Sequence, residues 1–269
     1  MDRNGDLDTM GSGGGTIRVT VERIDPKREE ELVVRCYDPD AAWENDFGGN
    51  AMKKSGKRGL ISGTALILAF ILWTILIQTV DVQPAGVNGT KVGFASVNTW
   101  FHRLTGVHMS LYTVTDWLGL VPIAVCIGFG LLGLMQWIRR KSICKVDRDI
   151  LLLGGYYILV ILAYLVFEMI PINYRPILID GAMEASYPSS TTLLVLSVMP
   201  TLLFQVSRRT KEQTVRRITA AFVVLFSAFM VTGRLVAGVH WLTDIVGSVL
   251  LSAGLYTLYR GAVHATDNQ

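Results

Sequence analysis

Gly-Arg-Leu-Val-Ala-Gly-Val-His-Trp-Leu-Thr-Asp, residues 233–244, lies between two apolar runs of the chain. If a helix begins near residue 241, His240 and Asp244 are one turn apart on a shared face, so the carboxylate can reach the imidazole and fix its tautomer. One ring nitrogen is then free to act as a nucleophile. Arg234 offers a planar, permanently charged guanidinium that suits a phosphate oxyanion. The stretch therefore predicts a phosphate site.

The composition indicates a membrane protein. Of the 269 residues, 51% are apolar and 17% are charged, and the mean hydropathy is +0.40, which is too apolar for an ordinary soluble domain. The three cysteines, Cys36, Cys126 and Cys144, show neither metal-ligand spacing nor a disulfide pattern. We expect neither a metal nor a cofactor.

Six segments are long and apolar enough to cross a bilayer, which takes about 20 helical residues. They cover residues 60–80, 118–138, 149–170, 189–206, 218–233 and 241–259. Basic residues cluster before the first span, after the second and after the fourth, which predicts that these loops and both termini are cytoplasmic. The predicted fold is an all-α integral membrane protein, a six-transmembrane helix bundle with His240 on its extracytoplasmic face.

Residues 1–51 have a different character. They hold 12 acidic and 6 basic residues, and they contain two strand-like runs, at residues 16–21 and 31–36. So short a segment cannot bury a core by itself. We predict a small polar, cytoplasmic N-terminal extension that is appended to a membrane domain of residues 52–269 and is dispensable for function.

The loop at residues 81–117 is long for a connection between bundle helices. Its apolar residues recur near helical period, which predicts a helix within the loop. Two placements fit this pattern. The helix could lie on the outer leaflet, or it could be a cap packed over the bundle.

The loop between the third and fourth spans supplies the second half of the site. It contains Arg175-Pro176 and then Tyr187-Pro188-Ser189-Ser190-Thr191, at the level expected for His240. A proline and two serines before an apolar run indicate a helix start, where free N–H groups and hydroxyls favour an anion. Ser189 and Ser190 are therefore candidate phosphate-binding residues.

Together these motifs resemble the type 2 phosphatidic acid phosphatase (PAP2) family of membrane phosphatases, which is related to vanadium haloperoxidases. The family pattern is Lys, six residues, Arg-Pro; then Pro-Ser-Gly-His; then Ser-Arg, five residues, His, three residues, Asp. The matching residues are Arg175-Pro176, Pro188-Ser189, Arg234, His240 and Asp244. The resemblance implies that His240 forms a phosphohistidine, that Asp244 orients it, and that Arg175, Arg234 and Ser189 hold phosphoryl oxygens.

Two positions depart from the family pattern. Glu168 stands where the family has a phosphate-binding Lys, and Thr191 stands where it has the His that protonates the leaving group. A carboxylate beside a bound phosphate is repulsive unless it is protonated or paired, for instance with Arg175 or Arg234. Glu168 is thus a candidate neutral acid and, if buried, a substitute proton donor. His102 and His108 in the outer loop are alternative donors.

Loss of the acid bears on the substrate. An alkoxide leaving group needs a proton, and general acid catalysis is typically worth roughly 100- to 10,000-fold. A phosphate that leaves from a phosphoanhydride is already a stable anion. Within a phosphatase reading, the sequence therefore favours a lipid pyrophosphate, such as undecaprenyl pyrophosphate, over a phosphatidic acid.

Two functions remain open. The chain could be a phosphohydrolase of a lipid phosphate or pyrophosphate in a bacterial plasma membrane, or a non-catalytic binder or carrier of anionic lipid headgroups that keeps the arginines and lacks the acid. In both cases the expected partner is a membrane lipid and not a nucleic acid. The sequence does not indicate an oligomeric state.

Overall fold

The computed structural model describes residues 7–10, 16–23, 32–37 and 39–267. The chain divides into two compact units, Met1–Lys54 and Ser55–Asp267. The first contains an antiparallel sheet of strands β1 (Leu7–Met10), β2 (Thr16–Arg23) and β3 (Leu32–Tyr37), in the order β1-β2-β3. β2 and β3 coincide with the two strand-like runs seen in the sequence.

In the part of the chain that the structure describes, eight α-helices follow the sheet. They are α1 (Pro39–Thr79), α2 (Ala95–Thr105), α3 (Met109–Leu118), α4 (Leu120–Arg140), α5 (Arg148–Met169), α6 (Ser190–Arg209), α7 (Gln213–Val236) and α8 (Leu242–Thr266). Single 3₁₀ turns lie at Val87–Gly89 and Ile143–Lys145.

Six helical segments are long and apolar enough to span a membrane, which confirms the predicted multi-pass, all-α architecture of this unit. They are Ser55–Thr79, Met109–Arg140, Arg148–Met169, Ser190–Arg209, Gln213–Val236 and Leu242–Thr266. The second begins nine residues earlier than the predicted residue 118, because α3 and α4 follow one another across Gly119. Thr113, Thr115 and Asp116 lower the hydropathy of α3, so the sequence pattern hid this extension.

Helices α6 and α8 form the centre of the bundle. They have the lowest mean hydropathy of the six spans, 1.5 and 1.3. Even so, 44% and 56% of the most apolar stretch of each is buried, against 11–22% for the other spans. Polar residues such as Ser197, Gln205 and Ser252 are buried on them. The outer spans instead expose residues such as Ile61 and Ile138, as expected for surfaces that face lipid.

Helix α1 packs closely against α8 through glycines. A Cβ at Gly59 would lie 2.9 Å from the Cα of Gly261, and one at Gly63 would lie 2.8 Å from the backbone nitrogen of Leu258. Small residues allow this approach of helix backbones in a membrane, where packing replaces the hydrophobic effect as the force between helices. The contact fixes α1 along α8, the helix whose first residues follow His240.

The loop between the first and second spans contains helix α2, and one face of this helix packs on the bundle as one of the two predicted placements requires. On one face, the buried Asn98 side chain donates hydrogen bonds to the Gly93 carbonyl and the Thr243 hydroxyl, so the helix caps the bundle at the start of α8. On the other face, Trp100 and Leu104 are 62% and 68% exposed. Such a surface suits the interfacial region of an outer leaflet.

Candidate active site

The turn between α7 and α8 places His240 at the end of the bundle. Gly238 has φ 71°, and a Cβ there would lie 2.0 Å from the Gly106 carbonyl oxygen, so only glycine fits this turn. The His102 ring nitrogen Nε2 lies 3.1 Å from the Gly238 carbonyl, and the His102 ring packs on Trp241. His102 therefore supports the turn, while His108 is exposed and contacts the Thr105 carbonyl.

His240 is buried and oriented by a backbone carbonyl. Its Nδ1 lies 3.1 Å from the Ser186 carbonyl oxygen, which can only accept, so Nδ1 carries the proton. Its Nε2 is buried and has no hydrogen-bond partner among the described residues. Burial, followed by the charges of Arg175 and Arg234, holds the pKa of His240 well below its usual value. The ring is thus neutral, and no described residue uses the Nε2 lone pair as a hydrogen-bond acceptor.

Asp244 lies close to His240, although it does not make the direct hydrogen bond expected from the one-turn spacing. Its Oδ2 is 3.8 Å from His240 Nδ1, beyond hydrogen-bond distance. The same oxygen accepts a 2.9 Å hydrogen bond from the Trp241 N–H, and Oδ1 contacts Asn173 Nδ2 at 3.4 Å. Asp244 thus caps the start of α8 and places its carboxyl group beside the ring.

Arg175 and Arg234 are brought together around Tyr112. They are 7% and 1% exposed, and their guanidinium carbons lie 5.8 and 4.8 Å from the centre of the Tyr112 ring. Nη1 of Arg175, and Nε and Nη1 of Arg234, are buried without hydrogen-bond partners in the described part of the chain. Buried donors of this kind are normally satisfied, so these groups are available to an anion. The contribution of Tyr112 from α3 could not be found by motif spacing.

Each arginine has a carboxylate neighbour, and neither is Glu168. Arg175 Nε lies 3.0 Å from Glu184 Oε2, and Arg234 Nη1 lies 3.5 Å from Asp116 Oδ1. Glu168 is exposed at the rim of the site and forms no ion pair with any described residue. The expected pairing of Glu168 with an arginine is therefore not found, because Glu184, whose carbonyl accepts a hydrogen bond from the Arg175 N–H, occupies that position.

The Pro188-Ser189-Ser190 segment starts α6 as expected from its sequence. Ser189 is the N-cap residue, is fully buried, and its hydroxyl has no partner within the described residues. Ser248 on α8 donates a hydrogen bond to the Ser189 carbonyl, which ties this helix start to α8. Thr191, one residue into α6, is 9% exposed.

Two adjoining cavities meet at this helix start. A polar cavity of about 230 Å³ is lined by residues that include Arg175, Glu184, Ser190 and His240, with Glu168 at its edge. An apolar cavity of about 260 Å³ includes Asp116 and Thr191 in its lining. Both cavities share Tyr164, Ser190 and Leu193. Arg234 and Ser189 are not among the residues that line the polar cavity.

A metal-binding arrangement is not part of this geometry. Within the described ranges, no group of three or more His, Cys, Asp or Glu side chains could hold a metal ion. The arrangement instead provides a neutral imidazole with a free nitrogen, two buried guanidinium groups and a helix N-terminus. Chemically, it can bind a phosphoryl group and attack its phosphorus atom.

Comparison with known proteins finds a similarity over the part of the chain that holds this arrangement. Residues 151–266 match the model of the PAP2 superfamily. A solved structure, the first transmembrane PAP2-type phosphatidylglycerolphosphate phosphatase from Bacillus subtilis, shares the fold with a TM-score of 0.51 and 17% identity, covering 75% of this chain and 95% of that chain. No curated protein sequence matches significantly. Residues 151–266 of this multi-pass membrane protein are therefore similar to the PAP2 superfamily.

Proposed function

We propose that the protein is a phosphohydrolase that removes phosphate from a lipid phosphate or pyrophosphate through a phosphohistidine at His240. The observation that carries this proposal is a neutral, buried His240 beside two buried arginines, in which Nε2 of the ring and several guanidinium N–H groups have no hydrogen-bond partner among the described residues. A nucleophile and anion donors that are held in place before the substrate arrives lower the cost of reaching the transition state.

The proposed reaction has two steps. The Nε2 lone pair of His240 attacks phosphorus, and the bond to the leaving oxygen breaks with its electron pair, which leaves a phosphohistidine. Arg175, Arg234, Ser189 and Ser190 hold the non-bridging oxygens, and the Asp244 carboxylate stabilises the positive ring. Water then attacks phosphorus, loses a proton, and returns phosphate and neutral His240.

Undecaprenyl pyrophosphate is our preferred substrate within this class. Thr191 cannot protonate a leaving group, and Glu168 is exposed, so a leaving group that needs no proton fits best. The apolar cavity next to the polar one offers a place for the first part of a lipid chain. Glu168 remains a second candidate for proton donation through solvent, and Glu168→Ala with unchanged release kinetics would remove it.

We place the protein in a bacterial plasma membrane, with the site on the extracytoplasmic face and both termini in the cytoplasm. The basis is the asymmetry of charge: Arg139, Arg140 and Lys141 end the second span, and Arg208 and Arg209 end the fourth, at the side away from His240. Cysteine accessibility measured in intact cells on variants carrying single reporter cysteines at both faces would test this orientation.

The decisive experiment compares purified protein with its His240→Ala variant, using His108→Ala as the control, since His108 is exposed and away from the cavity. Each is incubated with labelled undecaprenyl pyrophosphate or phosphatidic acid. We expect phosphate release and an acid-labile protein label that only His240→Ala abolishes. No release and no label with either lipid would overturn the enzyme assignment.

The alternative is a non-catalytic binder of anionic lipid headgroups. Thr191 supports it, because the arginines would keep their affinity while the proton donor is gone. Saturable lipid binding that depends on Arg175, without any release of phosphate, would establish this alternative.

We also propose that residues 1–51 are dispensable for catalysis, as a unit separate from the membrane domain. The compact units divide near this point, at Lys54. A chain that begins at Met52 should retain the phosphate release of the full chain, and loss of release in a correctly inserted chain would contradict the proposal.

A further inference from the structure

A second polar cavity lies between α1 and α8, at the end of the bundle away from His240. Its volume is about 240 Å³, and its lining includes Ser55, Arg58, Ser62, Arg260 and His264. α8 starts at Leu242, next to His240, and Arg260 and His264 lie in its last two turns. The cavity is therefore separated from the candidate active site by most of a membrane-spanning helix.

The lining of this cavity is positively charged. Arg58 and Arg260 form no ion pair with any described residue, and the cavity lining holds no carboxylate. The nearest acid, Asp267, lies 3.7 Å from His264 Nδ1 but is held by Arg208 through contacts of 2.7 and 2.8 Å. Two guanidinium groups without a counter-ion favour an anion with several oxygens.

Arg260 is also restrained by aromatic side chains. Its guanidinium carbon lies 5.5 Å from the Phe204 ring centre and 5.9 Å from that of Tyr256, within the range of a cation–π interaction. Restraint of this kind reduces the entropy that an arginine loses when it binds a ligand. The close approach of Gly59 and Gly261 forms the floor, which any larger side chain would fill.

We propose that this cavity binds the phosphate headgroup of an anionic phospholipid from the leaflet opposite the active site. The cavity is large enough for a headgroup but not for acyl chains. Beside it, Leu60, Ile61 and Leu68 of α1 are 38%, 62% and 60% exposed and continue into the span. Acyl chains can lie along this surface while the phosphate contacts the arginines, as in other basic pockets at membrane faces.

The test measures lipid retention by the purified full chain in native mass spectrometry. Phosphatidylglycerol is compared with phosphatidylcholine of identical chains and with inorganic phosphate. The variant Arg58→Gln with Arg260→Gln is compared with the control Arg216→Gln with Arg217→Gln, which removes two exposed charges from the start of α7, outside this cavity.

We expect the cavity variant to bind phosphatidylglycerol about 30-fold more weakly, because it loses two basic side chains that each contribute roughly 1 kcal/mol near an anionic lipid. The control should bind like the wild-type chain. Restoration by Arg58→Lys with Arg260→Lys would show that charge matters at this position. Equal retention of phosphatidylcholine, equal loss in the control, or inorganic phosphate binding without lipid that the cavity variant abolishes would each overturn the proposal. Since the readout is binding, it is independent of whether His240 is catalytic.

Discussion

Replacement of Gly247 by alanine should displace a side chain on which the candidate active site is built. An added Cβ would lie 2.3 Å from Cε2 of Tyr187, whereas carbon atoms in contact are about 3.5–4.0 Å apart. The ring must therefore move by more than about 1 Å. It has little room, because it stacks on Phe70, meets Phe167 edge-on, and its hydroxyl is 2.7 Å from the Thr74 hydroxyl.

The consequences follow from the position of Tyr187 in the chain. It directly follows Ser186, whose carbonyl holds His240 Nδ1. Overpacking of a filled core typically costs about 1–3 kcal/mol, which lowers the melting temperature of a domain of this size by about 2–12 °C. A shift of about 1 Å at a reacting group can cost roughly 100-fold in rate. Gly247→Ala should thus lose both stability and turnover.

Gly154 provides a matched control. It lies within α5, and a Cβ there meets nothing within 4 Å, so Gly154→Ala should be neutral or stabilising by up to about 1 kcal/mol through helix propensity. Thermal unfolding in detergent and release of phosphate from a lipid pyrophosphate would be measured for both variants. In addition, Tyr187→Leu should be less damaging in Gly247→Ala than in the wild-type chain. If Gly247→Ala behaved like Gly154→Ala, the proposed dependence of the site on Tyr187 would be wrong.

Three further predictions concern charges at the site. Asp244→Asn keeps an acceptor for the helix cap but removes the carboxylate 3.8 Å from His240 Nδ1. A carboxylate and a positive ring at this distance attract by about 4 kcal/mol at an effective dielectric constant near 20, so phosphate release should fall by up to roughly 1,000-fold. A loss below threefold would contradict this role. Burial and two arginines lower the pKa of His240, so its neutral form persists in mild acid. In a pH profile of kcat/KM, the loss of activity on the acid side should therefore lie below the usual imidazole pKa of about 6.5, and Arg175→Gln should move it to higher pH. A loss that begins at or above that pH in the wild-type chain would count against a buried nucleophile. Glu184→Gln removes the carboxylate that competes with the substrate for Arg175, so KM should fall several-fold with little change in kcat. An unchanged KM in steady-state assays would show that there is no such competition.

The sequence identified those candidate site residues that lie close together along the chain. His240, Asp244 and Arg234 are separated by short, fixed distances along the chain, and Ser189 begins the helix that its own sequence indicates. The six spans were also predictable, because their apolar runs are long. The start of the second span was missed, since Asp116 and its polar neighbours on α3 reduce the apolar signal while contributing to the site.

Interactions between distant segments could not be predicted. The partner of His240 Nδ1 is the carbonyl of Ser186, 54 residues away, and a carbonyl leaves no signature in the sequence. The same applies to Asp116, which reaches Arg234 from α3. The motif spacing made Glu168 a candidate partner of Arg175, but in the folded chain Arg175 pairs with Glu184 instead.

The unpaired donors of the two arginines connect the stability of the site to its proposed function. A buried guanidinium costs several kcal/mol unless it is paired and hydrogen-bonded, and Arg234 has only a 3.5 Å contact with the exposed Asp116. A purely structural arginine would be expected to satisfy its N–H groups with nearby carbonyls, as Arg140 does with that of Lys145. Arg234 instead makes no hydrogen bond from Nε or Nη1 to any residue that the structure describes. The fold therefore retains an unfavourable arrangement that an oxyanion would relieve, which is the property expected of a site that is complementary to a transferring phosphoryl group and not to the empty state.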